Sequence, residues 1–163
     1  MIPGGKVSTS PKLYLEQQPE TRERLRSVGY ASDSKAHVFV AMPFKEEMDD
    51  VYHYGIQGAV KATGYLCERA DLSSFTGNIM EWVRQRIKSS KLVIADLTDA
   101  NPNVYLEVGY AWGCGIPKIL IVGNTEHLKF DVRDQRCLQY KSIKNLEESL
   151  QSELNSLKNH GNL

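Results

Sequence analysis

A basic excess is missing from this chain. Among its 163 residues, Lys+Arg and Asp+Glu number 20 each, so the formal net charge is zero and the isoelectric point lies near 6.9. A duplex nucleic-acid binder displaces condensed counterions with a cationic surface, so bulk charge argues against that partner and for a small ligand. Cysteine is scarce as well. Cys67, Cys114 and Cys137 are odd in number, far apart and free of any C-x-x-C pair, which excludes a disulfide framework and fits a reducing compartment. His37, His53, His127 and His160 show no H-x-x-x-H or H-E-x-x-H spacing, so no metal site is expected. Long apolar runs are also lacking. The longest, Val38–Met42 and Ile119–Val122, have the length of strands and cannot span a bilayer. Met1–Lys6 has no signal-peptide core. The expectation is a cytoplasmic protein with no membrane partner.

What is there reads as one ordinary globular domain: 41% of residues are hydrophobic and 25% charged, and the length suits a single core. Residues 1–36 stand apart as an expected flexible extension, Gly-, Ser- and Pro-rich at its start, with room for a short charged helix over Pro19–Ser27. From His37 onward, residues 37–163, strand and helix periods alternate. His37–Phe44 is a nearly continuous apolar run ended by Pro43-Phe44, as in a strand buried on both faces. Met48, Val51, Tyr52, Ile56, Ala59 and Val60 form a helical stripe that stops at Gly64. Tyr65–Arg69 predicts a second strand, Asn78–Ser89 a second helix and Lys91–Leu97 a third strand. Asn101 followed by Pro102 is a favoured helix start, and that helix ends near Cys114-Gly115. Lys118–Val122 and Arg136–Tyr140 predict two more strands. Ile143, Leu146, Leu150, Leu154 and Leu157 mark a closing amphipathic helix. Trp82 and Trp112 fall on core-facing stripes, and Cys67 and Cys114 read as small buried hydrophobes.

Alternation of this kind builds βαβ units, whose right-handed crossovers give a parallel sheet covered on both faces. The expected fold is therefore a single α/β, flavodoxin-like, three-layer domain with about five parallel strands in the order 2-1-3-4-5. Ligands in such sheets bind beyond the carboxyl ends of the strands, near the switch in strand order. The residues there are Met42, Pro43 and Phe44 after the first strand, Arg69, Asp71 and Gly77 after the second, and Asp96, Thr98, Asn101 and Asn103 after the third. Neither G-x-G-x-x-G nor G-x-x-x-x-G-K-[ST] occurs, so a nucleotide would not be held in the Rossmann or P-loop manner. Glu107 lies in the second turn of the third helix, on a face neighbouring the stripe of Val104, Val108, Ala111 and Trp112. Pointed over the sheet edge toward Asp96, it would complete a pair of carboxylates suited to glycosidic cleavage through a cation-like sugar. The plain alternative is an exposed helical glutamate and a helix-capping aspartate.

Val38-Phe-Val-Ala-Met-Pro-Phe44, Arg69-Ala-Asp71 with Gly77, and Val93-Ile-Ala-Asp-Leu-Thr98 followed by Asn101-Pro-Asn-Val-Tyr-Leu-Glu-Val-Gly-Tyr-Ala111 resemble the nucleoside 2-deoxyribosyltransferase-like superfamily, in particular its bacterial TIR-like nucleotide-binding branch. The resemblance covers about Val38–Val122 and is most specific over Ala95–Ala111. It implies a flavodoxin-like fold, frequent oligomers, and a helix glutamate that attacks the anomeric carbon, a role that carries to Glu107. It also implies that Asp96 orients the sugar or assists proton transfer, and that Met42-Pro43-Phe44 faces ribose and base. The segment that binds phosphate in the 5′-monophosphate hydrolases is not recognisable here. The resemblance thus implies N-glycosidic cleavage or transfer on a nucleoside, nucleotide or NAD, with no cofactor required and a homodimer or larger assembly as partner state. Two other functions stay open: a non-catalytic nucleotide-binding sensor, and a TIR-like assembly module in signalling or phage defence.

Overall fold

The computed structural model describes residues 36–70, 79–126, 128 and 136–163. The expectations for residues 1–35, Asp71 and Gly77 lie outside them. Five strands, β1 (His37–Ala41), β2 (Leu66–Arg69), β3 (Leu92–Asp96), β4 (Lys118–Val122) and β5 (Cys137–Gln139), form one sheet. The order is β2-β1-β3-β4-β5, and every pairing is parallel. This is the expected flavodoxin-like arrangement, and the switch in direction falls between β1 and β3.

Strand side chains alternate between faces, which sorts the core into two halves. Val38, Val40, Ile94 and Ile121 turn to one side. There they meet α1 (Glu46–Asp50), a π-helical segment (Val51–Ile56), α2 (Gln57–Ala62) and α5 (Ile143–Asn159). Phe39, Val93, Ala95 and Leu120 turn to the other, against α3 (Ile79–Ser89) and α4 (Pro102–Gly113). The spacing from Met48 to Val60 predicts a helical stripe, and in the structure one stretch of it, Val51–Ile56, is π-helical. Within that stretch a Cβ on Gly55 would lie 2.8 Å from Leu146 Cδ2, so α5 approaches closely only because the position lacks a side chain.

Two details depart from the pattern reading. Trp82 is buried as expected, but Trp112 is 52% exposed. Helix α4 buries Val104, Val108 and Ala111, and one residue further rotates about 100° around the axis, which carries Trp112 to the rim. There the Lys118 ammonium sits 4.5 Å from its ring centroid. Cys67 is buried, whereas Cys114 is only half-buried. Under α3, Arg86 donates to Glu68 through Nε at 2.9 Å and Nη2 at 2.6 Å, and His37 Nε2 reaches the Arg86 carbonyl at 2.9 Å. All three side chains are buried. Among the described residues no helix is long and apolar enough to cross a membrane, and no group of His, Cys, Asp or Glu could hold a metal ion.

Candidate functional site

The switch point opens into a cleft at the carboxyl edge of the sheet. Its walls come from the end of β1 and the turn after it (Met42, Pro43, Phe44), from Ala70 beyond β2, and from the start of α4 (Asn101, Asn103, Val104, Glu107). The cleft is narrow, about 30 Å³. Glu107 also lines a larger apolar groove of about 330 Å³ between α3 and α4, bounded by Val83, Ile87, Tyr105 and Leu106.

Local sequence accounts for how Glu107 is presented. The Asn101 side chain accepts from the Asn103 N–H at 2.9 Å, and Pro102 follows as the first helical residue, so α4 begins at a fixed point. Ala100 just before the cap has φ of +49°, a left-handed conformation that a residue with a Cβ adopts at a cost and that clusters at functional sites. From that start the helical repeat turns Val104 and Val108 into the core and leaves Glu107 half-buried at the cleft. Among the described residues Glu107 makes no hydrogen bond or ion pair. Burial without a compensating donor pushes its carboxyl up to about 7.

Asp96 sits elsewhere. It follows Ile94 by two residues, so its side chain takes the face of β3 that carries Tyr140 and α5, not the face of α4. The carboxylate is fully buried and accepts from the Thr98 N–H at 2.9 Å, the Thr98 hydroxyl and the Tyr140 hydroxyl at 2.7 Å. Burial raises its pKa, and these three donors oppose the rise. Thr98 Oγ1 in turn accepts from the Gly123 N–H at 3.0 Å. Asp96 and Thr98 do not line the cleft, so the expected pair of carboxylates in one crevice is not formed; Asp96 instead joins the ends of β3, β4 and β5.

Arg69 likewise lies outside the cleft walls. Its guanidinium donates to Asp49 Oδ1 at 2.9 Å and stands 4.3 Å from the Tyr52 ring centroid and 5.2 Å from that of Phe44. It is buried, and it backs Phe44, which is 40% exposed and does face the cleft. Of the residues singled out from the sequence, the structure therefore gathers Met42, Pro43, Phe44, Asn101, Asn103 and Glu107. Pattern reading missed Tyr140 and Gly123. Gly123 directly follows β4, where the same edge rule would have found it; Tyr140 lies within the expected strand Arg136–Tyr140 and stands beyond the edge only because β5 ends at Gln139.

The fold and the cleft define a class: a parallel α/β domain of flavodoxin-like order with a carboxylate-bearing cleft at its switch point. No family model matches the sequence, and no curated protein does. Solved structures share the fold. The CMP N-glycosidase BcmB of Clostridium botulinum superposes with a TM-score of 0.59 at 19% identity, over 72% of this chain and 98% of that one. The TIR domain of the Toll-related receptor TRR-2 of Hydra magnipapillata gives 0.55 at 13% identity, over 73% and 94%.

Proposed function

We propose that this chain cleaves or transfers the N-glycosidic bond of a nucleoside, nucleotide or NAD, with Glu107 as nucleophile or as stabiliser of the sugar cation. The observation that carries the reading is a half-buried carboxylate, unpaired among the described residues, in the cleft at the switch point. A half-buried carboxylate kept without a partner is unfavourable in the resting protein and becomes favourable when positive charge develops beside it. As the bond between C1′ and the base breaks, the base leaves with the bonding pair: nicotinamide departs from NAD already neutral, whereas the base of a nucleoside or nucleotide takes a proton from water. The electron-poor C1′ is met by the Glu107 carboxylate. Water then attacks C1′ in hydrolysis, or a second base does so in transfer, and the carboxylate is released. The exposed face of Phe44 offers a stacking wall for the base. Asp96 serves by fixing the loop into α4 through Thr98. That a CMP N-glycosidase has this fold supports the reaction class.

The deciding experiment is incubation with nucleosides, nucleoside 5′-monophosphates and NAD, followed by chromatography for released base. Base release that Glu107→Gln abolishes supports the reading; no release from any of the three classes removes it.

A second reading keeps the cleft and drops the turnover: a TIR-like nucleotide sensor or assembly module. It draws on the fold shared with a receptor TIR domain and on α4, where Leu106 is 57% exposed beside the apolar groove against α3, a surface suited to a second copy. Nucleotide binding without base release, with particle mass rising on binding in light scattering, would favour it.

A further inference from the structure

The cleft at the switch point holds about 30 Å³, whereas small-molecule pockets run to roughly 300 Å³ and more. A ligand is admitted only if the rim gives way. Among the described residues, two loops adjoin it: residues 42–45 after β1, of which Met42, Pro43 and Phe44 line the cleft, and residues 97–101 after β3, of which Asn101 does. They are tied together by an ion pair, Lys45 Nζ to Asp99 Oδ2 at 2.8 Å. Lys45 directly follows the cleft residue Phe44, and Asp99 stands two residues before the cleft residue Asn101.

Both partners of this pair are solvent-exposed, so it adds little to stability and opens readily. Opening leaves an ammonium at the mouth of the cleft with its carboxylate partner withdrawn. The position that Asp99 occupies is then one for an anionic oxygen. Arg69 cannot take such a role, because its guanidinium is buried against Asp49 and the Tyr52 ring. Lys45 carries its ammonium on a flexible stem that is half open to solvent.

Resting on the reading of this cleft as a nucleoside site, we propose that Lys45 recognises the 5′-phosphate of a nucleoside monophosphate, exchanging Asp99 for a phosphate oxygen as the ligand enters. Asp99 is the internal competitor that keeps the rim closed when no phosphate is present. The preferred ligands are thus monophosphates over the corresponding nucleosides, in spite of the unrecognisable phosphate segment. Recognition comes from one lysine and its displaceable partner.

The test is titration calorimetry of the full chain, Lys45→Met and Asp99→Asn with two probe pairs, CMP against cytidine and AMP against adenosine. Base release is followed separately. In the unaltered protein the monophosphate of at least one pair binds more tightly than its nucleoside. Lys45→Met weakens that monophosphate about tenfold, the scale of one lost charge-assisted hydrogen bond, and leaves the nucleoside unchanged. Asp99→Asn tightens the monophosphate. Opposite signs for the two halves of one ion pair are what a merely structural bridge would not produce. Equal binding of monophosphate and nucleoside, or two substitutions that act in the same direction or not at all, would overturn the proposal. Binding that depends on Lys45 without base release would sustain it and remove the enzymatic reading. Base release at equal kcat/KM from nucleosides and monophosphates, insensitive to Lys45, would do the reverse. No binding of any probe overturns the proposal, and the enzymatic reading then rests on the incubation with NAD.

Discussion

The Tyr140 hydroxyl donates to Asp96 Oδ2 at 2.7 Å, so the residue that follows β5 closes over the carboxylate at the end of β3. A segment 44 residues downstream thereby holds the loop that leads into α4 and sets where Glu107 stands. Because the Asp96 carboxylate is fully buried, each of its donors offsets part of the cost of taking a charge out of water.

Tyr140→Phe removes one of those donors and leaves the ring in place. Stability should fall by about 1–3 kcal/mol, the usual cost of a buried group left short of a partner. Urea denaturation reads this directly, and an unchanged midpoint would mean that Thr98 alone satisfies the carboxylate.

The Glu107 prediction concerns both pH and turnover. Its folded-state pKa is raised to about 7 from an ordinary 4.5, through burial. Between those two values the unfolded chain has lost the proton that the folded chain keeps, so stability falls as pH rises through the window and stays lower above it. Glu107→Gln abolishes that loss. It should be near neutral below pH 4.5 and stabilising at pH 8.5, by on the order of 1–3 kcal/mol. Turnover should drop by orders of magnitude above about pH 7, where the carboxyl is ionised, and by less below it, where the unaltered protein has also lost the charge. Melting curves at the two pH values check the first part; a variant that melts like the unaltered protein at both would show that the carboxyl is solvated.

The buried Glu68–Arg86 pair predicts an asymmetry. Arg86→Met alone strands a buried carboxylate and should cost about 3–5 kcal/mol, whereas Glu68→Leu with Arg86→Met should recover much of that, since an apolar pair can replace a buried ion pair at little loss. Chemical denaturation of the single and double variants decides it. A double variant no better than the single would mean that the His37 contacts, not the charge, set the cost.

Gly55→Ala tests the close approach of α5. The added methyl would lie 2.8 Å from Leu146 Cδ2 and 3.3 Å from its Cγ, and Leu146 is fully buried. Overpacking of this kind costs about 1–3 kcal/mol. Thermal melting measures it, and Gly58→Ala, where the nearest atom is the Glu147 Oε1 at 3.4 Å, is the milder comparison.

How much of this was readable along the chain follows from the range of the forces involved. Element type and order were, because apolar runs and periods of three to four are local signals: Ile119–Val122 is a continuous apolar run of strand length, and Asn101-Pro102 starts α4 by its own capping chemistry. Parallel crossovers of one hand then leave few strand orders, and 2-1-3-4-5 was among them. The edge rule placed Met42, Phe44, Asn101, Asn103 and Glu107 where the cleft is. What the chain alone did not decide is which face each edge residue serves. Asp96 and Glu107 belong to adjacent elements, yet strand alternation sends the first to Tyr140 and helix rotation sends the second to the cleft. One residue of register separates those outcomes, and only packing against α5 on one side and α3 on the other selects between them. The same holds for Arg69, whose guanidinium is drawn between two rings and a carboxylate contributed by Phe44, Tyr52 and Asp49. It holds too for the pKa of Glu107, which depends on how much water the assembled walls exclude.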